Sequence, residues 1–130
     1  MVLIISVNDD LYLVGIEKYH GIFSASFGEI ILPIEYDRMS TLTSGLLLIE
    51  RDNRIGVFSL ETNRVIIPVQ YVEVGMINAD LIFLKQGDGL KGVYSLKGER
   101  IIVPFKFAEI KLEGDKLLLT KVITFALQIE

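Results

Sequence analysis

Cysteine and tryptophan are absent from this chain of 130 residues, histidine occurs once and proline three times. Without cysteine there is no disulfide, no thiol nucleophile and no thiolate metal site, and the lack leans mildly toward a reducing, cytoplasmic setting. A lone His20 leaves too few imidazoles for most zinc sites, so no metal or other cofactor is expected. Basic stripes are missing as well: 13 Lys and Arg are scattered singly against 17 Asp and Glu, for a net charge of −4. Nucleic acid is therefore not an expected partner, whereas a basic protein surface is. No apolar run approaches the roughly 18 residues that cross a bilayer as a helix, so no membrane is expected either. The 51% of hydrophobic residues must instead be packed inside. "MVLIISVNDD" has no basic region ahead of its apolar patch, and two aspartates stand where a signal peptide has small residues; it reads as a strand. By length the chain is one domain, 1–130, able to bury about two-thirds of its unfolded surface.

What is present is a repeat. Each proline ends the same kind of apolar triplet, in "EIILPIEY", "RVIIPVQY" and "RIIVPFKF", and each lies twelve residues after a glycine. The pairs are Gly21 with Pro33, Gly56 with Pro68, and Gly92 with Pro104, so successive units are offset by 35 and then 36 residues. Alignment continues through Phe23/Phe58/Tyr94, Ser24/Ser59/Ser95, Ile31/Ile66/Ile102, Tyr36/Tyr71/Phe107 and Leu46/Leu81/Leu117. A period of this size belongs to propellers, solenoids or arrays. Within a unit "RIGVFSL", the turn "ETN" and "RVIIP" read as a hairpin, and two further short alternating segments follow. Proline lacks the N–H of a central ladder, so it is expected where a strand ends or bends at a sheet edge, with its triplet buried on both faces. The glycines are expected at a bulge or at a close backbone approach between units.

The units run 18–53, 54–89 and 90–121, with partial units at 1–17 and 122–130. The N-terminus carries the back of a unit and the C-terminus the front, with Ala126 at the glycine position. This predicts an all-β antiparallel repeat protein in which the tails share a fourth unit and close a propeller-like ring without free edges. A β-trefoil and an open β-solenoid are the alternatives.

"YHGIFSASFGEIILPIEYD", with its weaker copies "RIGVFSLETNRVIIPVQYV" and "LKGVYSLKGERIIVPFKFA", resembles the bacterial WG-repeat (KWG) family. That family shows an aromatic-Gly pair, a hydrophobic strand, a turn with glycine, a "VIPP"-like segment and then Tyr-Asp. Here His20, Ile55 and Lys91 occupy the place of its tryptophan, and the Tyr-Asp pair survives only as Tyr36-Asp37. The resemblance implies an all-β interaction module without a shared activity or cofactor.

Candidate chemistry is sparse. "GDGLKG" at 87–92 spells G-x-G-x-x-G, but its last glycine opens another strand rather than a helix, so it reads as a hairpin loop. His20, with Tyr19, Glu17 and Asp37 nearby by repeat geometry, has no accompanying serine or cysteine motif. Asp9, Asp10, Glu50, Asp52 and Asp80 fall at turns or strand ends, where acidic residues are common, and no D-x-D-x-D-G calcium loop occurs. Tyr36, Tyr71 and Phe107, equally spaced, read as packing before they read as sugar platforms. Residues that break the repeat are more informative: Tyr12, Tyr19, His20, Asp37, Glu50 and Asp52 have no chemical counterparts in the third unit. They are the expected protein-interaction rim.

The sequence thus predicts no enzyme but a protein-binding β-repeat module with an acidic rim, one version being an immunity-type inhibitor of a basic bacterial toxin. A lectin-like domain and a structural subunit of a larger complex are the rival readings.

Overall fold

The computed structural model describes residues 1–121 and contains fourteen strands among them, with no helix and no closed barrel. The strands β1 (Val2–Ser6), β2 (Leu11–Ile16), β3 (Tyr19–Ser24) and β4 (Glu29–Tyr36) form one antiparallel sheet in chain order. A second sheet is β5 (Arg38–Thr43), β6 (Leu46–Arg51), β7 (Arg54–Ser59) and β8 (Arg64–Tyr71). The third repeats the order with β9 (Glu73–Met76), β10 (Leu81–Lys85), β11 (Lys91–Ser95) and β12 (Arg100–Phe107). The last described strands, β13 (Glu109–Glu113) and β14 (Lys116–Thr120), pair with each other. The chain divides into two compact units, Met1–Val72 and Glu73–Glu130.

The sheets are out of phase with the sequence units. Every Gly-to-Gly unit contributes its first two strands to one sheet and its last two to the next, because the chain passes between sheets after the proline strand. The partial unit 1–17 therefore completes the first sheet as β1 and β2, and β1 pairs with β2 alone among the described strands. The C-terminal partial unit, 122–130, lies outside the described residues. The β-trefoil alternative requires a closed barrel and is replaced by open four-stranded meanders.

All three prolines occupy the same environment, in the middle of an edge strand rather than at its end. In the first sheet His20 faces Tyr36 and Ile22 faces Leu32, so three residues of β4 lie opposite the single Gly21. The same slip recurs between β7 and β8 and between β11 and β12. The bulge pushes the proline backbone over the glycine: a Cβ on Gly21 would meet Leu32 O at 2.5 Å, and one on Gly56 would meet Ile67 O at 2.5 Å. Glycine and proline are thus one device, and the constant twelve-residue spacing is the length of a hairpin. The close approach is within a sheet, not between units. Nor is the triplet buried on both faces: Ile30, Val65 and Ile101 are 40–43% exposed, because the first apolar residue of each edge strand faces outward.

In Met1–Val72 the first two sheets share a core. Leu11, Ile22, Leu32 and Tyr36 of the first meet Leu47, Ile49 and Phe58 of the second. Antiparallel register places Leu11, Leu13, Ile22 and Leu32 on one side of the first sheet, and Leu47, Ile49 and Phe58 on one side of the second.

A polar clasp ties each hairpin pair at the other end. Asp10 accepts hydrogen bonds from the Ser26 N–H at 2.6 Å and the Ser24 hydroxyl at 2.8 Å, while Ser24 Oγ accepts the Phe27 N–H. Asp80 repeats this with the Lys97 N–H and Ser95, and Ser95 Oγ accepts the Gly98 N–H. In the second sheet Gly45 replaces the aspartate, leaving Ser59 to accept the Thr62 N–H. The Ser26 N–H and then the Ser24 hydroxyl hold the Asp10 carboxyl below its ordinary value of 3.8. The unfolded chain takes up that proton first, so protonation favours unfolding. This contribution is full above the ordinary value and fades as pH falls through the lowered one. Urea midpoints measured between about pH 2 and pH 5 should fall more steeply for the wild type than for Asp10→Asn. Equal slopes would show that the clasp contributes nothing.

Candidate functional site

Two tight turns and one strand end meet in Met1–Val72. The β2–β3 turn has Glu17 at φ 58°, and the β6–β7 turn has Asp52 and Asn53 at φ 53° and 62°, the left-handed pair that suits a two-residue hairpin. Between them lies the end of β4, where the proline bulge turns Ile34 and Glu35 outward. A shallow cavity of about 270 Å³ results, lined by Tyr19, Ile34, Glu35, Arg51 and Asp52.

Its electrostatics are mixed. Arg51 Nη1 donates to Glu35 Oε1 at 2.6 Å, and the Arg51 guanidinium stands 5.6 Å from the Tyr36 ring centroid. Both partners are over 40% exposed, so this ion pair fixes shape more than it adds stability. Lys18 Nζ lies 5.2 Å from the Tyr19 ring centroid. Burial first, then the Glu35 carboxylate, push the Tyr36 phenol above its ordinary 10.

Of the predicted rim, Tyr19 and Asp52 line the cavity, and Asp37, Glu50 and His20 stand beside it. Asp37 has a structural job: its Oδ2 accepts the Asp52 N–H at 3.0 Å, while its own N–H donates to Glu50 O at 2.8 Å. The Tyr-Asp pair thereby locks the β4–β5 connection to the β6–β7 turn. His20 Nδ1 lies 3.3 Å from Tyr36 O, and Gly15 across the sheet leaves its ring room, since a Cβ there would meet His20 Cδ2 at 3.2 Å. Tyr12 is not in this group; it pairs with Ser6 and Phe23 at the other end of β2. Sequence reasoning missed Ile34, Glu35 and Arg51, because a bulge that redirects side chains is invisible in a strand pattern. Tyr36 and Tyr71 are buried, as packing aromatics should be, and Phe107 is half-buried. "GDGLKG" is the β10–β11 turn, closed by Gln86 N–H to Leu90 O. No cluster of three or more His, Asp or Glu placed to hold a metal occurs among the described residues.

The positions preceding the three glycines, His20, Ile55 and Lys91, face Tyr36, Tyr71 and Phe107 across the bulged hairpins. Residues 26–54 match the family described as WG containing repeat. One stretch of the chain is thus similar to a WG repeat, and the match covers 29 of its 130 residues. The matched stretch spans β4 to β6 and contains every cavity residue except Tyr19. The position of the repeat's tryptophan, just before the glycine, and that of the tyrosine in Tyr-Asp are cross-strand neighbours here. The chain is a β-repeat module built of antiparallel sheets. It is similar to a solved structure titled "KlHsv2 with loop 6CD replaced by a Gly-Ser linker", at 10% identity and a TM-score of 0.45. That similarity covers 93% of this chain and 46% of the other, so this chain spans less than half of its length. No curated protein matches the chain.

Proposed function

We propose that this chain is a non-catalytic, cytoplasmic protein-binding module whose recognition surface is the turn cluster around the Tyr19, Ile34, Glu35, Arg51 and Asp52 cavity. The observation that supports it most is that two of the residues that break the repeat, Tyr19 and Asp52, line one cavity, with Asp37 bonded to the Asp52 N–H beside it: a repeat kept for architecture is altered where a partner is met. Glu35, Asp37, Glu50 and Asp52 bring four carboxylates to that end, beside Arg51 and Lys18. A cationic partner surface suits this arrangement, with Tyr19 and Ile34 giving apolar contact and the carboxylates steering approach. An immunity-type inhibitor of a basic toxin is one concrete form. In this reading the four-stranded meanders are blades of a propeller-like array, which presents its turns along one rim.

Affinity capture from the cells of origin tests it. Immobilised wild type should retain a basic protein at low ionic strength, lose most of it at about 0.5 M salt, and lose it with Glu35→Lys/Asp52→Lys at low salt. Recovery of the same species by the double variant would move the site elsewhere, and recovery of none would sink the reading.

A further inference from the structure

The cavity of the turn cluster is small, and its charges are unevenly used. At about 270 Å³ it falls below the roughly 300–1,000 Å³ of sites that enclose a small-molecule ligand, so it suits one long side chain of another protein better than a free metabolite. Glu35 and Arg51 neutralise one another across 2.6 Å, which leaves the charge of Asp52. The Asp52 carboxylate has no hydrogen bond or ion pair among the described residues; only its N–H is taken, by Asp37. Tyr19 and Ile34 supply an aromatic and an aliphatic wall. Two cations of the chain border the cavity and are held differently. The Arg51 guanidinium has both a carboxylate, at 2.6 Å, and a ring, that of Tyr36, at 5.6 Å. The Lys18 ammonium has the Tyr19 ring at 5.2 Å and no ion pair among the described residues.

We propose that the cavity anchors one arginine side chain of the partner, its guanidinium stacked on Tyr19 and forked onto the Asp52 carboxylate, its methylenes along Ile34. This rests on the reading of the turn cluster as the recognition surface and adds what that surface grips. A guanidinium suits an aromatic wall beside a carboxylate, because it stacks and donates two parallel hydrogen bonds at once, whereas an ammonium is a compact, strongly hydrated point charge. Arg51, with Glu35 and Tyr36, is the chain's own example of that arrangement, and Lys18, with a ring alone, is its example of the other. An acidic side chain is the poorer match, since Arg51 is already paired and Asp52 would repel it. The equivalent places one repeat later hold Arg54, Val69, Gln70, Gln86 and Gly87, so the ring and both carboxylates are missing there and the arrangement belongs to this turn cluster.

Titration of the isotope-labelled chain with N-acetylarginine amide, and separately with N-acetyllysine amide, followed by amide NMR at about 20 mM salt, tests it. Arginine amide should give saturable shifts centred on Tyr19, Ile34, Glu35, Arg51 and Asp52, with a dissociation constant of roughly 1–10 mM. Lysine amide should bind at least about three-fold more weakly. Asp52→Asn, which keeps a residue type that tolerates the left-handed turn, and Tyr19→Leu should each weaken arginine amide about five-fold. Asp9→Asn, an exposed carboxylate in the β1–β2 turn, should change nothing. Should one cavity variant lose the dispersed spectrum of the fold, the other gives the same reading. Shifts that do not saturate, equal binding of the two amides, or binding that survives both cavity variants overturn the proposal. If arginine amide leaves the cavity untouched while the immobilised chain still retains a basic protein that Glu35→Lys/Asp52→Lys loses, the anchor falls and the surface reading stands. If no basic protein is retained, both fall.

Discussion

Gly56→Ala is expected to lower the unfolding free energy by about 3 kcal/mol, at the upper end of what overpacking costs. The added Cβ would stand 2.5 Å from Ile67 O, 2.8 Å from Val69 N and 2.9 Å from Pro68 C. These are backbone atoms of the bulge, and they cannot move aside as a side-chain tip can. Relief requires flattening the bulge, which would withdraw Ile67 from the core, where it is 1% exposed. In a domain with a total stability of roughly 5–15 kcal/mol, a loss of that size is readily seen. Gly21→Ala should behave alike, since Leu32 O and Ile34 N lie at 2.5 and 2.8 Å. Gly92→Ala should cost less, because beyond Val103 O at 2.7 Å its next neighbours are Phe105 ring atoms at 3.0 Å, and a ring can turn. Gly45→Ala is the control: it has φ 81° and open space, so only the left-handed backbone is penalised, by roughly 1–2 kcal/mol. Urea midpoints followed by circular dichroism give the order. If Gly45→Ala costs as much as Gly56→Ala, the glycines serve torsion and not the bulge.

The repeat, the all-β class and the edge position of the prolines are legible in the sequence because each follows from a local constraint. Alternation shows strands, glycine-containing turns show hairpins, and a missing N–H shows an edge. The phase of the sheets is not legible. A period read from one glycine to the next says how long a unit is, but the cut between sheets falls after Tyr36, Tyr71 and Phe107, and no residue type marks a cut rather than another turn. For the same reason the sequence matches 1–17 to the back of a unit without showing that β1 and β2 lie in one sheet with β3 and β4. The site was legible in part. Tyr19 and Asp52 stand out by departing from the repeat, whereas Glu35 and Arg51 lie in ordinary strand segments and meet only because the bulge rotates Glu35 toward the β6 end. Asp37 departs from the repeat too, yet its carboxylate caps the β6–β7 turn. Departure from a repeat therefore marks altered architecture as readily as a binding surface.

Phe58→Ala and Phe23→Ala form the other decisive comparison, since they remove the same side chain from the same repeat position in adjacent sheets. Phe58 is 0% exposed and packs with Leu11, Ile22, Leu32 and Ile49 in the shared core. Emptying its place leaves a cavity whose walls are strands pinned by their own ladders, so it collapses poorly. A loss of about 3–5 kcal/mol is expected. Phe23 is half-buried, with Tyr12 and Ile30 beside it on the open side of the first sheet. Water can enter where its ring was, no closed cavity forms, and the loss in dilute solution should be roughly 1–2 kcal/mol, mainly the ring's partial transfer from water. Because the chain contains no tryptophan, tyrosine fluorescence and circular dichroism in urea are the suitable probes. Equal losses at low concentration would mean that the second sheet does not bury this face against the first.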